Sequence, residues 1–212
     1  MFKQIRHELG HHFPFTLAGG LTGILLFFVF RNIGHEAAEH TFHVLHPLHV
    51  FLSALVTASL YAQYKKCETN KRPPLIILLV IGYVGAVGIA TLSDCIMPFF
   101  GERILDMPHA HHHAGFIEQW WLVNPLAILG IIIAYYYPTT KAPHTGHVLI
   151  STWASLFHIL MAKGEGLSLI GYVIVYVFLV ISVWLPCCVS DIVFPLLFVK
   201  DKRCCSFCGE EQ

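Results

Sequence analysis

Two histidine pairs with the same spacing carry the main chemical signal of this sequence. His46 and His49 form the first pair, and His144 and His147 form the second. Because residues three apart lie on one face of a helix, each pair can present two imidazoles to the same point. Imidazole is a common ligand of Zn²⁺ and related ions. The spacing therefore predicts that each pair contributes ligands to a divalent metal ion.

A second repeated motif supplies an aspartate to each pair. Asp94 lies in "LSDCIMPFF" and Asp191 lies in "VSDIVFPLL"; they are 97 residues apart, while the histidine pairs are 98 residues apart. Two motifs that recur at nearly one offset indicate a duplicated unit. The sequence predicts a first unit at 1–103, a second at 104–199 and a Cys-rich tail at 200–212. Both aspartates are predicted to be metal ligands beside the histidines.

The composition is that of a membrane protein. Hydrophobic residues make up 56% of the 212 residues, charged residues make up only 12%, and the mean hydropathy is +0.65. Soluble domains contain about 25% charged residues. We therefore expect an integral membrane protein whose helices contact the lipid bilayer. The formal net charge is zero with neutral histidines, so nothing indicates a nucleic-acid partner.

Six segments are long and apolar enough to be predicted as membrane spans. A unit with three spans crosses the membrane an odd number of times, so its copy must be inverted, as in many secondary transporters. We therefore predict an all-α integral membrane protein with six transmembrane helices arranged as two inverted three-helix repeats. The six predicted spans are 14–30, 46–64, 74–99, 120–137, 144–162 and 167–199.

Lysine and arginine residues define the predicted orientation. Most of them fall on one side of the six spans, including the loop "KKCETNKRPP" and the two chain ends. The opposite side has only Arg31, Arg103 and Lys163. Both termini are therefore predicted to be cytoplasmic, in a cell membrane or an inner membrane. In this orientation, His49 lies near the outer surface and His147 lies near the cytoplasmic surface.

Polar residues extend each histidine pair along its predicted helix. Ser53 lies one turn after His49, and Ser151 and His158 follow His147 at helical spacing. Lipid cannot form hydrogen bonds with such a stripe, so the stripe must face other helices or water. These residues are therefore further candidates for the path of the metal ion.

Additional histidines flank the predicted spans. The segment "HEAAEHTFH" contains His40 and His43, and a second histidine-rich stretch covers 109–113. We expect 35–45 to form a separate amphipathic piece on the outer surface, where it would collect metal ions together with 109–113. A solvated polar loop is the alternative interpretation.

The predicted cytoplasmic tail contains Cys205-x-x-Cys208. Two cysteines at this spacing can bind a soft metal ion. Palmitoylation of cysteines close to the membrane is the alternative. These two cysteines are therefore secondary metal candidates.

The N-terminal sequence "HELGH" matches the HExxH motif of zinc proteases. In that motif His7 and His11 would bind zinc, and Glu8 would activate a water molecule. Here the motif lies in a polar stretch before the first span and lacks a clear third ligand. An intramembrane zinc hydrolase or protease is therefore the alternative function, and a sensor or storage protein with a static metal is a third.

The sequence favours a transporter of divalent transition-metal ions, with Zn²⁺ as the expected ion. Proton coupling is a natural feature of such a protein, because a histidine must be neutral to bind metal. The side chains of the HELGH motif would then lie beside the cytoplasmic end of the path. Homo-oligomerisation is compatible with the sequence and is not required by it.

Overall fold

The computed structural model describes residues 2–111, 114–139, 141–163, 168–188 and 193–199. Within these ranges, side chains are described except at 2–13, 15, 141–145, 187–188 and 196. This part of the chain consists of helices joined by short connections, and it contains no strand. The all-α class is therefore confirmed for the described residues.

The helices follow one another with few intervening residues. A π-helical turn at Leu92–Ile96 joins the third helix to the fourth without a break. In chain order the helices are α1 (Phe2–Phe30), α2 (His35–Thr69), α3 (Leu75–Thr91), α4 (Met97–Ile104), α5 (Gly115–Glu118), α6 (Trp120–Tyr136), α7 (Lys141–Ala162), α8 (Leu169–Cys188) and α9 (Phe194–Leu197).

Three helical segments in the described chain are long and apolar enough to cross a membrane, and they indicate membrane association. Their outward faces carry large apolar side chains such as Ile76 and Leu169, which are 75% and 81% exposed and suit a lipid environment. The three long segments are His35–Thr69, Leu75–Ile104 and Leu169–Pro186, and shorter apolar helices cover Thr16–Phe30, Trp120–Tyr136 and Gly146–Ala162. All six overlap segments that the sequence predicts as spans.

The start of α2 differs from the sequence-based expectation. We expected 35–45 to be a separate surface piece, because Pro47 suits the first turn of a helix. Instead α2 begins at His35 and continues through Pro47 to Thr69. Buried contacts along the first turns, including those of Phe42, hold this segment in the bundle. His49 is therefore the fifteenth residue of a helix of 35 residues and does not lie near its start.

The helix α2 lies at the centre of the bundle and takes part in two apolar clusters. Its second half packs against α3 and α6, and its first half packs against α7 in a cluster that also contains residues of α1 and α8. The contact with α6 is close because Gly130 has no side chain: a Cβ there would lie 2.6 Å from the backbone oxygen of Phe51. Small residues of this kind allow helices to approach closely in membranes.

The helices α2 and α7 run antiparallel and form the largest helix pair around the centre. His35 at the start of α2 contacts the end of α7, with its Nδ1 3.0 Å from the carbonyl oxygen of Met161. Further along α2, Leu52 lies beside Gly146 near the start of α7. The polar stripes of these two helices are therefore brought face to face.

The basic side chains that the sequence assigns to different membrane sides lie at different ends of the bundle. At one end the backbone N–H of Thr139 donates to Ser59 Oγ at 3.1 Å, and Arg72 lies over a tyrosine ring of α6. At the other end the Lys163 ammonium donates to the carbonyl oxygen of Arg31. Arg72 and Lys163 therefore lie at opposite ends of the bundle.

Candidate functional site

Both polar stripes are buried inside the bundle. On α2, His46, His49 and Ser53 are at most 1% exposed. On α7, His147 and Ser151 are fully buried. These faces therefore point towards other helices, which is one of the two environments that the sequence allows. The buried polar stripe on α7 also includes Ser155 and His158, whereas the buried Thr152 faces α1.

The π-helical turn positions the aspartate between the two stripes. An α-helix would direct the N–H of residue 98 at the carbonyl oxygen of Asp94, but Pro98 has no N–H to donate. The chain widens here, and the N–H of Met97 donates to the carbonyl oxygen of Leu92, five residues back. Asp94 is fully buried in this turn. Single π-helical turns inside α-helices are frequent at functional sites.

Asp94 accepts four hydrogen bonds at the centre of the bundle. Its Oδ2 accepts from His46 Nδ1 at 3.0 Å and from His49 Nδ1 at 2.6 Å. Its Oδ1 accepts from the hydroxyls of Ser93 at 2.8 Å and Ser151 at 3.0 Å. Four hydrogen bonds use the full accepting capacity of a carboxylate. In this geometry Asp94 orients two imidazoles, whereas the sequence-based hypothesis made it a direct ligand.

His49 also meets the equivalent histidine of the second repeat. Its Nε2 lies 3.2 Å from Nε2 of His147, and the two rings are nearly perpendicular, at 79°. Because Nδ1 of His49 donates its hydrogen to Asp94, the lone pair of this ring is on Nε2. Two nitrogen ligands of a tetrahedral Zn²⁺ are about 3.3 Å apart when each bond is about 2.0–2.1 Å. In the structure the two Nε2 atoms are joined by a hydrogen bond that His147 donates, and their separation is also close to that of two nitrogen ligands on one such ion.

The third imidazole of the cluster belongs to His46. Its Nδ1 donates to Asp94, and its buried Nε2 has no hydrogen-bond partner among the described residues. The α5 backbone covers this ring closely, since a Cβ at Gly115 would clash with it. A buried polar atom without a protein partner calls for a ligand or a cost in stability. His46 Nε2 is therefore a buried nitrogen without a partner in the described part of the chain, and the α5 backbone occupies the space beside it.

The described side chains are not gathered as a complete metal site. They contain no group of three or more His, Cys, Asp or Glu residues that could hold a metal ion as they stand. Two of the six predicted ligands fall outside this test, because the His144 side chain and Asp191 are not among the described parts. The same is true of the secondary candidates His7, Glu8, His11, Cys205 and Cys208.

The remaining α2 histidines lie on other faces of the helix. His40 is exposed, and His43 is half-buried. Steps of three residues turn each successive side chain by about 300°, so a run of such steps drifts around the helix. The Asp94 cluster therefore takes only the last two histidines of "HEAAEHTFHVLHPLH".

A second buried pair of a carboxylate and an imidazole lies near the central cluster. Nδ1 of His158 donates to Oε1 of Glu102 at 2.6 Å, and both side chains are at most 1% exposed. The ring of Phe42 lies between the two clusters, with its centroid 5.4 Å from that of His46 and 5.2 Å from that of His158. Phe42 therefore separates the pair from the Asp94 cluster.

Glu102 is not among the candidate residues predicted from the sequence, where it falls in a predicted outer loop. The available signal was its spacing, since Asp94, Pro98 and Glu102 follow one another at four-residue steps and share a helix face. The repeat gave no help, because Val199 occupies the equivalent position in the second copy. A cavity of about 290 Å³ adjoins the pair and is lined by His35, Glu102, His109, His111, His158, Met161 and Ala162.

The candidate site consists of one network of buried polar side chains. Three imidazoles, one carboxylate and two serine hydroxyls are arranged in one buried network between α2, α7 and the π-helical turn. No protein-family model matches this chain, and no curated protein or solved structure matches it either.

Proposed function

We propose that this protein is a multi-pass membrane transporter of a divalent transition-metal ion, with Zn²⁺ as the expected substrate. The observation that carries the proposal is the meeting of His49 and His147. These residues occupy equivalent positions in the two sequence repeats, and their Nε2 atoms lie 3.2 Å apart in the buried centre. One central binding point between the repeats is therefore favoured over two separate half-sites.

The donor atoms support a late transition metal as the substrate. Imidazole nitrogens suit Zn²⁺ and its neighbours, whereas sites for Mg²⁺ and Ca²⁺ are built from oxygen. The hydrogen bond from His49 Nδ1 to Asp94 is the usual way in which a carboxylate fixes the tautomer of a metal-binding histidine. In the proposed bound state, the ion is held by Nε2 of His49 and His147, and a movement of α5 away from the ring lets His46 complete the imidazole set.

The packing of α2 against α7 supports an inverted repeat. The two helices are equivalent in the sequence repeat, run antiparallel and touch at the equivalent residues His49 and His147. If the two repeats are related by a two-fold axis in the membrane plane, equivalent residues of α2 and α7 meet where this axis passes between the two helices. Transporters with inverted repeats bind their substrate near such an axis. We accordingly propose six spans in two inverted units, with both termini in the cytoplasm.

The surroundings of the cluster fit a closed state of such a transporter. The central histidines are fully buried, and Phe42 lies between His46 and the cavity at one end of the bundle. An ion passing from the cavity to the centre would have to displace this ring. The binding nitrogens must also be neutral, so protons compete with the metal for the same atoms.

Transport is tested with the purified protein in liposomes that contain a metal-sensitive dye. Wild-type protein should carry Zn²⁺ inwards, and His49→Ala and His147→Ala should each abolish the flux. His40→Ala is the matched control, because it removes an exposed histidine from the same helix as His49. Metal binding at the central histidines without any flux would show a sensor or storage protein and would contradict transport.

A further inference from the structure

The cavity at one end of the bundle has a lining unlike that of an ordinary surface pocket. Its volume is about 290 Å³, and four of its lining side chains are imidazoles. The fifth polar side chain is the carboxylate of Glu102, which is fully buried. These residues come from α2, α4, α7 and the loop between α4 and α5, so the fold gathers them from four separate segments.

Only one of the two carboxylate oxygens of Glu102 has a hydrogen-bond partner among the described residues. Its Oε1 accepts from His158 Nδ1 at 2.6 Å, whereas its buried Oε2 has no hydrogen-bond partner among the described residues. A buried charged group that lacks partners is costly, and a cation beside it would remove that cost. The free oxygen belongs to a residue that lines the cavity, so a cation in the cavity could reach it.

Hydrogen bonds to the end of α7 fix His35 and the loop that carries His109 beside the cavity. His35 Nδ1 donates to the carbonyl oxygen of Met161 at 3.0 Å, which places the lone pair of this ring on Nε2. The backbone N–H of His109 donates to the carbonyl oxygen of Ala162 at 3.2 Å, so the loop is fixed to the end of α7. The rings of His35 and His109 are then 6.0 Å apart between centroids.

We propose that this cavity is a second binding site for a divalent transition-metal ion, separate from the central cluster. Its ligands are Oε2 of Glu102 and Nε2 of His35, completed by the loop imidazoles of His109 and His111. The side chains surround the cavity without yet converging on one point. Binding therefore turns the loop side chains inwards, and His158 keeps the carboxylate in place through its Nδ1 hydrogen bond.

The two sites should fill independently. They share no ligand, and the Phe42 ring lies between His158 of one site and His46 of the other. The second site needs no transport activity, so it stands whether or not the protein moves metal across the membrane. The number of bound ions and the variants that remove each of them therefore test it directly.

The experiment measures Co²⁺ and Zn²⁺ binding to the purified full-length protein in lipid nanodiscs, by equilibrium dialysis and by Co²⁺ absorption. Wild-type protein and the His40→Ala control should bind two ions. Glu102→Gln should bind one, because the amide keeps the shape and the contact with His158 but removes the negative charge. A combined His49→Ala and His147→Ala variant should also bind one ion, and that ion should be lost when Glu102→Gln is added.

A second variant distinguishes loss of the metal site from misfolding of the protein. His109→Ala combined with His111→Ala changes only a loop, and it should weaken the second site about 100-fold or more while leaving the central affinity unchanged. Two ions with wild-type affinity in both Glu102→Gln and the loop variant would overturn the proposal. Loss of both ions in the central variant would also overturn it. If the central variant keeps both ions, the central site fails and the cavity site does not.

Discussion

The central cluster and the cavity at the end of the bundle use the same chemical pair in different ways. Each has a fully buried carboxylate that accepts a hydrogen bond of 2.6 Å from an imidazole Nδ1. Asp94 accepts three further hydrogen bonds, whereas Oε2 of Glu102 has no partner among the described residues. The central carboxylate is therefore saturated, and the one beside the cavity is not.

This difference separates two roles that a sequence motif cannot distinguish. A saturated carboxylate stabilises the imidazoles around it and has no capacity left for a metal ion unless a hydrogen bond breaks. An unsaturated carboxylate beside a cavity retains a free oxygen for a cation. Asp94 is thus suited to orienting ligands, and Glu102 is suited to being one.

The largest effect is expected for Asp94→Asn compared with Glu102→Gln. An asparagine would face four donors with one oxygen and a donating amide, so breaking this network should reduce stability by about 3–5 kcal/mol. Glu102→Gln should cost less than about 1.5 kcal/mol, because the amide oxygen still accepts from His158 and a buried charge is removed. Thermal unfolding of both variants in the same detergent measures the difference. Equal losses would contradict the contrast in saturation.

A smaller effect is expected for Ser151→Ala. This change removes one of the four hydrogen bonds to Asp94 and leaves both imidazole contacts in place. Loss of a group that orients a ligand typically weakens metal binding by about 10–100-fold. Isothermal titration with Zn²⁺ should show a weaker central site and an unchanged cavity site. Thr41→Ala, on an outward part of α2, is a control that should leave both affinities unaltered.

Access from solution should also differ between the two regions. His111→Cys, on the exposed loop at the cavity, should react rapidly with a membrane-impermeant maleimide added from outside the cell. Ser53→Cys, fully buried in the central stripe, should react slowly. Labelling of the unmodified protein measures the background reaction of its native cysteines. Rapid labelling at Ser53→Cys would show that the centre is open, and labelling at His111→Cys only from inside would reverse the proposed orientation.

No effect on either metal site is expected for Glu8→Gln. The transporter proposal gives the HELGH motif no role in coordination, while in a zinc hydrolase Glu8 would be the general base and its loss would be severe. Liposome flux and the two binding constants should match the wild type. A variant that binds both ions but has lost the protein's activity would favour the enzyme instead.

Apolar length was enough to predict the helices, and periodicity was enough to predict the buried stripe. Residues such as His49, Ser53, His147 and Ser151 recur at helical spacing, and a polar stripe in an apolar segment has to face inwards. The approximate positions of all six apolar helices follow from the length of the apolar segments. These features depend on local sequence, so they can be derived without any knowledge of how the helices pack.

The partners across the bundle could not be predicted in this way. From the sequence, His49 and His147 are expected near opposite surfaces, because the second span is predicted to begin at the first histidine pair. In the fold α2 starts at His35, and the two residues are in contact. Glu102 was missed for a related reason, since α4 continues the third span beyond Phe99. Helix ends in apolar chains depend on tertiary contacts that composition does not encode.

The length of α2 has a consequence for the place of the cavity relative to lipid. Its 35 residues extend about 52 Å, whereas the hydrocarbon core of a bilayer is about 30 Å thick. The mismatch is too large for tilt alone at ordinary angles, so part of the helix must stand among the lipid headgroups or beyond them. His35 and the cavity lie at one of its two ends. A cavity at the level of the headgroups or beyond them would let cations from water reach Glu102 without crossing the hydrocarbon core.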